Sequence, residues 1–533
     1  MVGATSARFP GHADPAFYYQ VARNLATGHG ADIDYIWHFL APVKHVRHFA
    51  WDYWLPMPSL LISVGQHFQR GMTSALDVGI ALSALFAAGT YQLASRLTGS
   101  WWIPSVAAIT VILLPSVSIY AMRTESAIYL ATFVVLALAA AVGARERPWR
   151  WPLAGAFTGI AGLARNEGLL LIAVMAVAAI TWNTGWRRLI RLGTLLAGYA
   201  AIIVPYMIIS IQRIGSPLPT ASQDFPYVSK YSQLYSLHVK HSGLWSDAMW
   251  DARGQAFADQ WHFGEAIYEY GVLVALLALI AVSLLLRRPA NIPVGDGSFI
   301  GRVFRSAWLL PVGFAILVPI FESAVTPVVA GAGSVQKSGI ALAPVLVIGA
   351  LQRGRRLPGL RPDLPRWLRG STWLMQLVAL AGAVALMVLP ALRLPSLTSH
   401  TVKGGNAIGR QAAVLHRPLQ TEQRYLGDRQ LILMTSNPWD VNQATGFATV
   451  MIPQASICEV LKTAVRYNVT DVETRQGNRP QRNIEWLAHH GGPFTPVVGG
   501  RNYRIYRIES GIALQWCADG QPTIPQLTNK KLT

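Results

Sequence analysis

Gly162-Leu163-Ala164-Arg165-Asn166-Glu167-Gly168 sets three polar residues, two of them ionic, inside an apolar stretch of about 30 residues. Ionisable groups at membrane depth are costly, and they face a cavity or one another. Two readings of the segment stand at this point. Arg165 and Glu167 form a turn pair at the surface, or the Arg165 guanidinium faces a hollow where its planar fork grips a phosphate through two hydrogen bonds. On either reading the flanking segments belong in lipid.

The rest of the chain agrees. A helix that crosses a bilayer needs about 20 apolar residues. Candidate spans lie at 74–96, 101–120, 126–143, 152–164, 167–182, 192–211, 268–286, 307–322, 338–352 and 373–391, about ten in all. The pair around Arg165 is short and reads as a helical hairpin that does not fully cross. The 533 residues are 52% hydrophobic and only 13% charged, against about 25% charged in a soluble domain. The formal charge is +19, yet no basic stripe with interleaved aromatics appears, so nucleic acid is not the partner.

The cations sort the loops instead. One set carries Arg96; Arg145, Arg147 and Arg150; Arg187, Arg188 and Arg191; Arg287, Arg288, Arg302 and Arg305; and Arg353, Arg355, Arg356, Arg361, Arg366 and Arg369. The alternate loops carry single cations, Arg123, Arg165 and Lys337. By the positive-inside rule the first set is cytoplasmic. Residues 1–73, 120–126, 212–267, 322–338 and those after about 392 then face outward. Met1 to Pro10 lacks the apolar core of a signal peptide, so a span ahead of Met1 is expected to be missing from this sequence. The fold class is a mainly α polytopic membrane protein with an outward first loop and juxtamembrane helices (1–73), a helical bundle (74–391) and a small outward α/β domain (392–533).

In that last part, Leu431–Thr435 and Val469–Glu473 read as strands and Ala455–Tyr467 as a helix with Ile457, Val460, Leu461, Ala464 and Val465 on one face. Phe494–Val498 and Tyr503–Ile508 flank Gly499-Gly500-Arg501-Asn502, a hairpin signal. The two cysteines, Cys458 and Cys517, both fall here and can form a disulfide if the domain meets an oxidising space.

Chemistry-bearing residues gather in the outward segments. Asp14-Pro15 has the form of a helix N-cap with a first-turn proline. Phe17, Val21 and Leu25 continue an amphipathic helix that Gly28 ends. A carboxylate at such a position can still face a cavity. His45, His48, Trp51, Asp52, Tyr53 and Trp54 match no trusted metal-ligand spacing. They read as an interface belt, although indole and phenol rings also stack on sugars. Arg123 and Glu125 sit at an outer mouth between spans, as snorkelling anchors or as site groups. Gly331-Ala332-Gly333-Ser334-Val335-Gln336-Lys337 offers small residues and one charge for a phosphate, without the spacing of a nucleotide loop.

Asp14-Pro15-Ala16-Phe17-Tyr18-Tyr19, with Ala22-Arg23-Asn24-Leu25 and Gly28-His29-Gly30, resembles the first outer-loop motif of the C-type membrane glycosyltransferases, which include the dolichyl-phosphate-mannose protein mannosyltransferases and the aminoarabinose transferases. Gly162–Gly168 resembles their "GLAR-x-EG" segment. The resemblance spans residues 10–390. It departs where Ala13, rather than a second acid, precedes Asp14. It implies an outward cavity and inverting transfer of a hexose or pentose from a polyprenyl-phosphate donor to a hydroxyl of a glycan, lipid or protein. It also implies a multi-pass protein of the inner membrane with its C-terminal domain outside.

Under it, Asp14 and Glu125 take catalytic roles, and Arg165, Lys337 and Arg123 hold the donor phosphate. His12, Tyr18, Asp52, Trp54 and Glu167 meet sugar or acceptor. No cofactor is required, and a divalent metal is allowed but not indicated. Two other classes compete: a transporter or flippase of a lipid-linked glycan, which calls for polar groups along a whole path and an inverted repeat, and a catalytically inactive structural membrane protein.

Overall fold

The computed structural model describes residues 6–237, 243–259, 306–325, 335–355, 392, 395–396, 398–475, 479–500 and 502–518. The chain begins with α1 (Ala13–Ala26), two short strands β1 (Asp32–Ile33) and β2 (Tyr35–Ile36), β3 (His48–Phe49) and α2 (Met57–Phe68). The bundle follows as α3 (Met72–Thr98), α4 (Ile103–Leu113), α5 (Pro115–Ala121), α6 (Ser126–Gly143), α7 (Arg150–Ala164), α8 (Gly168–Thr181) and α9 (Arg187–Ile214). Beyond it come α10 (Asp247–Asp259), α11 (Leu309–Val325) and α12 (Val335–Arg355).

Hydropathy places these helices well, but ten crossings are not what the described residues display. Among the described residues, α3, α6 and α9 are long and apolar enough to span, with a fourth span if α4 and α5 count together. The expected single span at 101–120 is bent by 59°. Its cause is Pro115, whose ring forces Leu114 into extended backbone (φ −62°, ψ 128°) and breaks the helix there. The segments expected at 152–164 and 167–182 are helices of 15 and 14 residues, about 21–23 Å long against a hydrocarbon core of about 30 Å. The segments at 307–322 and 338–352 are helical as α11 and α12. Those at 268–286 and 373–391, with Gly331 and Gly333, lie outside the described residues.

Burial ranks the helices. The apolar window of α6 is 94% buried and that of α9 only 22%, so α6 is the axis of the bundle and α9 its rim. On α9, Leu196, Val204, Ile208 and Ile211 remain exposed, an apolar face suited to lipid. Small residues let α7 and α9 approach closely: a Cβ on Gly155 would strike the Leu195 carbonyl, and one on Gly198 the Pro152 carbonyl. At one end of the bundle Arg96 donates to the Ala139 carbonyl and lies beside Arg150. Glu125 caps the other end of α6.

The C-terminal part comprises α13 (His416–Leu426), β4 (Ile432–Thr435), α14 (Pro438–Thr445), β5 (Ala448–Met451), α15 (Ile457–Arg466), β6 (Asp471–Thr474), α16 (Arg479–His489), β7 (Phe494–Gly499), β8 (Arg504–Ile508) and α17 (Ser510–Ala518). The sheet order is β2-β5-β4-β6-β8-β7, with β2, β5, β4 and β6 parallel and the β7–β8 hairpin antiparallel. Strands β4, β5 and β6 are buried throughout, as parallel strands covered on both faces must be. Ile432, Met434 and Val472 pack with Val460 and Leu461 of α15 on one face. Leu431 and Leu433 pack with Leu415 and Leu419 on the other.

Helix α15 starts at a capping box in which the Ser456 amide donates to Glu459 Oε2 at 2.9 Å. One strand of this sheet, β2, comes from the first loop and pairs Tyr35 with Thr449 and Ile36 with Val450.

Cys458 and Cys517 are joined, which ties α17 to α15. Closing a separation of 59 residues removes unfolded-state entropy worth about 4 kcal/mol. Replacing both cysteines by serine is expected to lower the stability of this domain by about that amount, read as a shifted urea midpoint. An unchanged midpoint would contradict the role given to the bond.

Candidate functional site

Seven chain segments meet at the end of the bundle away from the arginine clusters. Helix α1 contributes Asp14 and Tyr18. Asp14 is not the N-cap: His12 occupies that position and Asp14 is the second helical residue, with no side-chain capping bond at this terminus. The helix N-terminus still favours a negative charge there. The carboxylate turns outward to accept a hydrogen bond from Lys337 Nζ at 2.5 Å. Every residue of Pro15–Ala22 is buried, so α1 is enclosed rather than merely amphipathic. Thr124 Oγ1 donates to the Pro15 carbonyl at 2.8 Å and fixes the start of α1 against the mouth of α6. Past the C-cap Thr27, Gly28 has φ +79°, a left-handed conformation that a side chain disfavours.

Lys337, on the first turn of α12, bridges two carboxylates. Besides Asp14 it approaches Glu125 Oε2 at 3.7 Å. Glu125 is fully buried, and its Oε1 lies 3.4 Å from His12 Nε2. Burial alone would raise the Asp14 carboxyl, but the Lys337 ammonium, helped by His12 and Arg165, holds it below the usual carboxylate range.

The turn between α7 and α8 supplies the second cation. Arg165 is extended (φ −157°, ψ 148°) and ends α7. The turn doubles back so tightly that a Cβ on Gly168 would strike the Ala161 backbone. Arg165 Nη2 donates to Glu167 Oε1 at 2.5 Å, Nε to the same oxygen at 3.1 Å, and Nη1 to Ser126 Oγ at 3.4 Å. The Arg165–Glu167 pair of the first reading exists, but it is buried, and both residues line a cavity rather than a surface.

The cavity has a volume of about 160 Å³. Its polar lining is Asp14, Lys337, Arg165, Glu167, Asn166 and Ser126, together with Tyr18. Its aromatic and apolar lining is Tyr53, Trp54, Leu55, Phe225, Tyr231 and Phe321. The structure thus brings together Asp14, Tyr18, Trp54, Arg165, Glu167 and Lys337, with Glu125 directly behind Lys337.

Besides Glu125, which sits behind Lys337, three expected residues do not line the cavity. The Arg123 guanidinium turns back to 6.0 Å from the Tyr120 ring centroid. The Asp52 carboxylate is buried against His48 Nε2 at 3.5 Å, while its neighbours Tyr53 and Trp54 reach the cavity. His12, half-exposed, stands at the rim on Glu125. Sequence reading missed Ser126, Phe225, Tyr231 and Phe321 as site residues. Phe225 and Tyr231 lie between α9 and α10, in a segment with neither motif nor periodicity.

No protein-family model and no curated protein matches the chain. Solved structures do. One is ArnT from Cupriavidus metallidurans bound to undecaprenyl phosphate, with TM-score 0.59, 14% identity and 95% coverage of each chain. The same enzyme in the apo state gives TM-score 0.55, 13% identity and 96% coverage of each chain. The mycobacterial arabinofuranosyltransferase AftD gives TM-score 0.51 and 14% identity over 95% of this chain and 39% of its own. The chain therefore has the fold of the C-type membrane glycosyltransferases.

Asp52 provides a test outside the cavity. Burial, only partly offset by His48, pushes its carboxyl up to about 6. A carboxyl that holds its proton more tightly in the native than in the unfolded state makes stability fall as pH rises, here between about 4 and about 6. Asp52→Asn is expected to flatten that slope in thermal unfolding across the window. An unchanged slope would contradict the assignment.

Proposed function

We propose that the protein is a membrane glycosyltransferase that moves a sugar from a polyprenyl-phosphate donor to an acceptor hydroxyl on the extracytoplasmic face, with inversion. The observation that carries this reading is the meeting of Asp14, Lys337 and Arg165 in one cavity at the mouth of an apolar bundle. A carboxylate beside two cations suits an acid–base and anion-binding task, and the fold supports the same class. The buried carboxylates of the described bundle, Glu125, Glu167 and Glu322, gather at this end, which favours a reaction site over a transport path.

Orientation rests on charge and redox chemistry. The opposite end of the same helices holds Arg96, Arg145, Arg147 and Arg150, and positive charge prefers the cytoplasm. A disulfide in the C-terminal domain suits an oxidising, outward compartment.

In the proposed step the acceptor oxygen attacks the anomeric carbon from the face opposite the phosphate. The bond from that carbon to the phosphate oxygen breaks, and the lipid phosphate leaves with the electron pair. The acceptor proton passes to Asp14. Arg165 and Lys337 stabilise charge on the departing phosphate in a cavity where water screens little. A bound donor phosphate competes with Asp14 for Lys337, and release of the carboxylate from its cation restores its basicity. Donor binding thereby arms the base.

Asp14→Asn is expected to lower transfer by about 10²–10⁴-fold, the usual worth of a positioned proton acceptor, in membranes supplied with labelled polyprenyl-phosphate pentoses and hexoses. Wild-type rates from a stably inserted variant would refute the base role. Because the two cations neutralise the leaving phosphate, transfer is also expected to persist after treatment with a metal chelator. Abolition that a divalent ion restores would contradict this part of the proposal.

A further inference from the structure

We infer that Tyr231 is a preorganised plate against which the sugar ring of the donor stacks, and that the C-terminal domain holds this plate in place. This inference rests on the transferase reading and adds to it the subsite for the transferred sugar.

Of the aromatic side chains that line the cavity, Trp54, Tyr53 and Phe225 already have partners in the core. Trp54 is stacked on Trp37 (4.5 Å, 20°) and lies 4.4 Å from Phe17. Tyr53 meets Trp37 and Phe225 edge-on, at 4.3 and 5.2 Å. Phe225 is itself buried. Tyr231 differs: it lines the cavity, yet 44% of its surface is exposed. Among the described residues the one aromatic ring it meets is that of Tyr235, edge-on at 6.0 Å. Its ring therefore adds exposed apolar surface to the cavity lining. Large aromatic faces are costly to leave in water. The C–H face of a pyranose or furanose is a suitable cover, while its hydroxyls remain available to Asp14, Glu167 and Asn166 of the same lining.

The segment that carries Tyr231 is tied down by hydrogen bonds and by burial. Gln233 Oε1 accepts from the amides of Ser229 and Lys230 at 2.9 and 3.1 Å. The Leu234 carbonyl accepts from the Phe39 amide at 2.9 Å, and the Tyr235 carbonyl from the Gln454 amide at 2.8 Å. Leu234, Val228 and Phe225 bury themselves against Leu40 as a small core of their own. The first loop and the C-terminal domain thus clamp the segment from two sides. A ring fixed before the ligand arrives loses little entropy on binding.

The test uses the full chain in lipid nanodiscs and two ligands, undecaprenyl phosphate bare and undecaprenyl phosphate bearing a pentose or a hexose. Tyr231→Ala is expected to weaken binding of the sugar-bearing lipid about three- to tenfold, the usual worth of an aromatic contact, and to leave the bare lipid phosphate unchanged. Tyr231→Phe is expected to bind both as wild type does, since the ring and not the hydroxyl makes the contact. Equal weakening of both ligands by Tyr231→Ala, or no change in either, overturns the plate while the donor reading stands. If the wild-type protein binds neither ligand, the donor reading fails and the plate with it.

Discussion

The ion pair between Lys337 and Asp14 joins residues 323 positions apart and closes the site between the first loop and the last described helix of the bundle. Charges withdrawn from water at a membrane mouth are expensive unless they are matched. Here each cation has a carboxylate within reach: Lys337 has Asp14 and Glu125, and Arg165 has Glu167. The matching lets apolar helices end around charged groups. It also defines what can displace those groups, because an entering phosphate is an anion of the kind both cations already hold.

Helix α1 carries this constraint into the rest of the molecule. Its buried faces connect the bundle to the C-terminal domain: Thr124 anchors its start, and Gln20 donates to Asn442 on α14. Strand β2 continues from the same loop into the six-stranded sheet beside β5. The sheet, its disulfide and the segment carrying Tyr231 are therefore structural extensions of the cavity wall, which accounts for a C-terminal sheet that includes a strand from ahead of α3.

Much of this organisation was legible in the sequence, because hydrophobic runs and arginine placement are dictated by the bilayer and need no tertiary information. The α6 helix runs over Ser126–Gly143, as its apolar run implies, and the polar break at Arg165 is a cavity wall. The bend at Leu114-Pro115 was harder to see, since apolar residues on both sides hide a break that only the proline reveals. Strand β2 has two residues, too few for any period to register. Arg123 and Glu125 are equally polar neighbours in sequence, yet Arg123 leans on Tyr120 while Glu125 turns inward to Lys337. Direction at a helix end is set by packing, which a linear pattern does not encode. Tyr231 lay beyond sequence reading for the same reason: its role depends on a clamp formed by residues more than 190 positions before it and more than 200 after it in the chain.

The central claim is that these paired cations form a slot for a lipid-borne phosphate. A structure of the protein with undecaprenyl phosphate bound tests it most directly. The account predicts the phosphate between Lys337 and Arg165, with Lys337 drawn away from Asp14. A phosphate bound elsewhere, with the Lys337–Asp14 pair still closed, would contradict it.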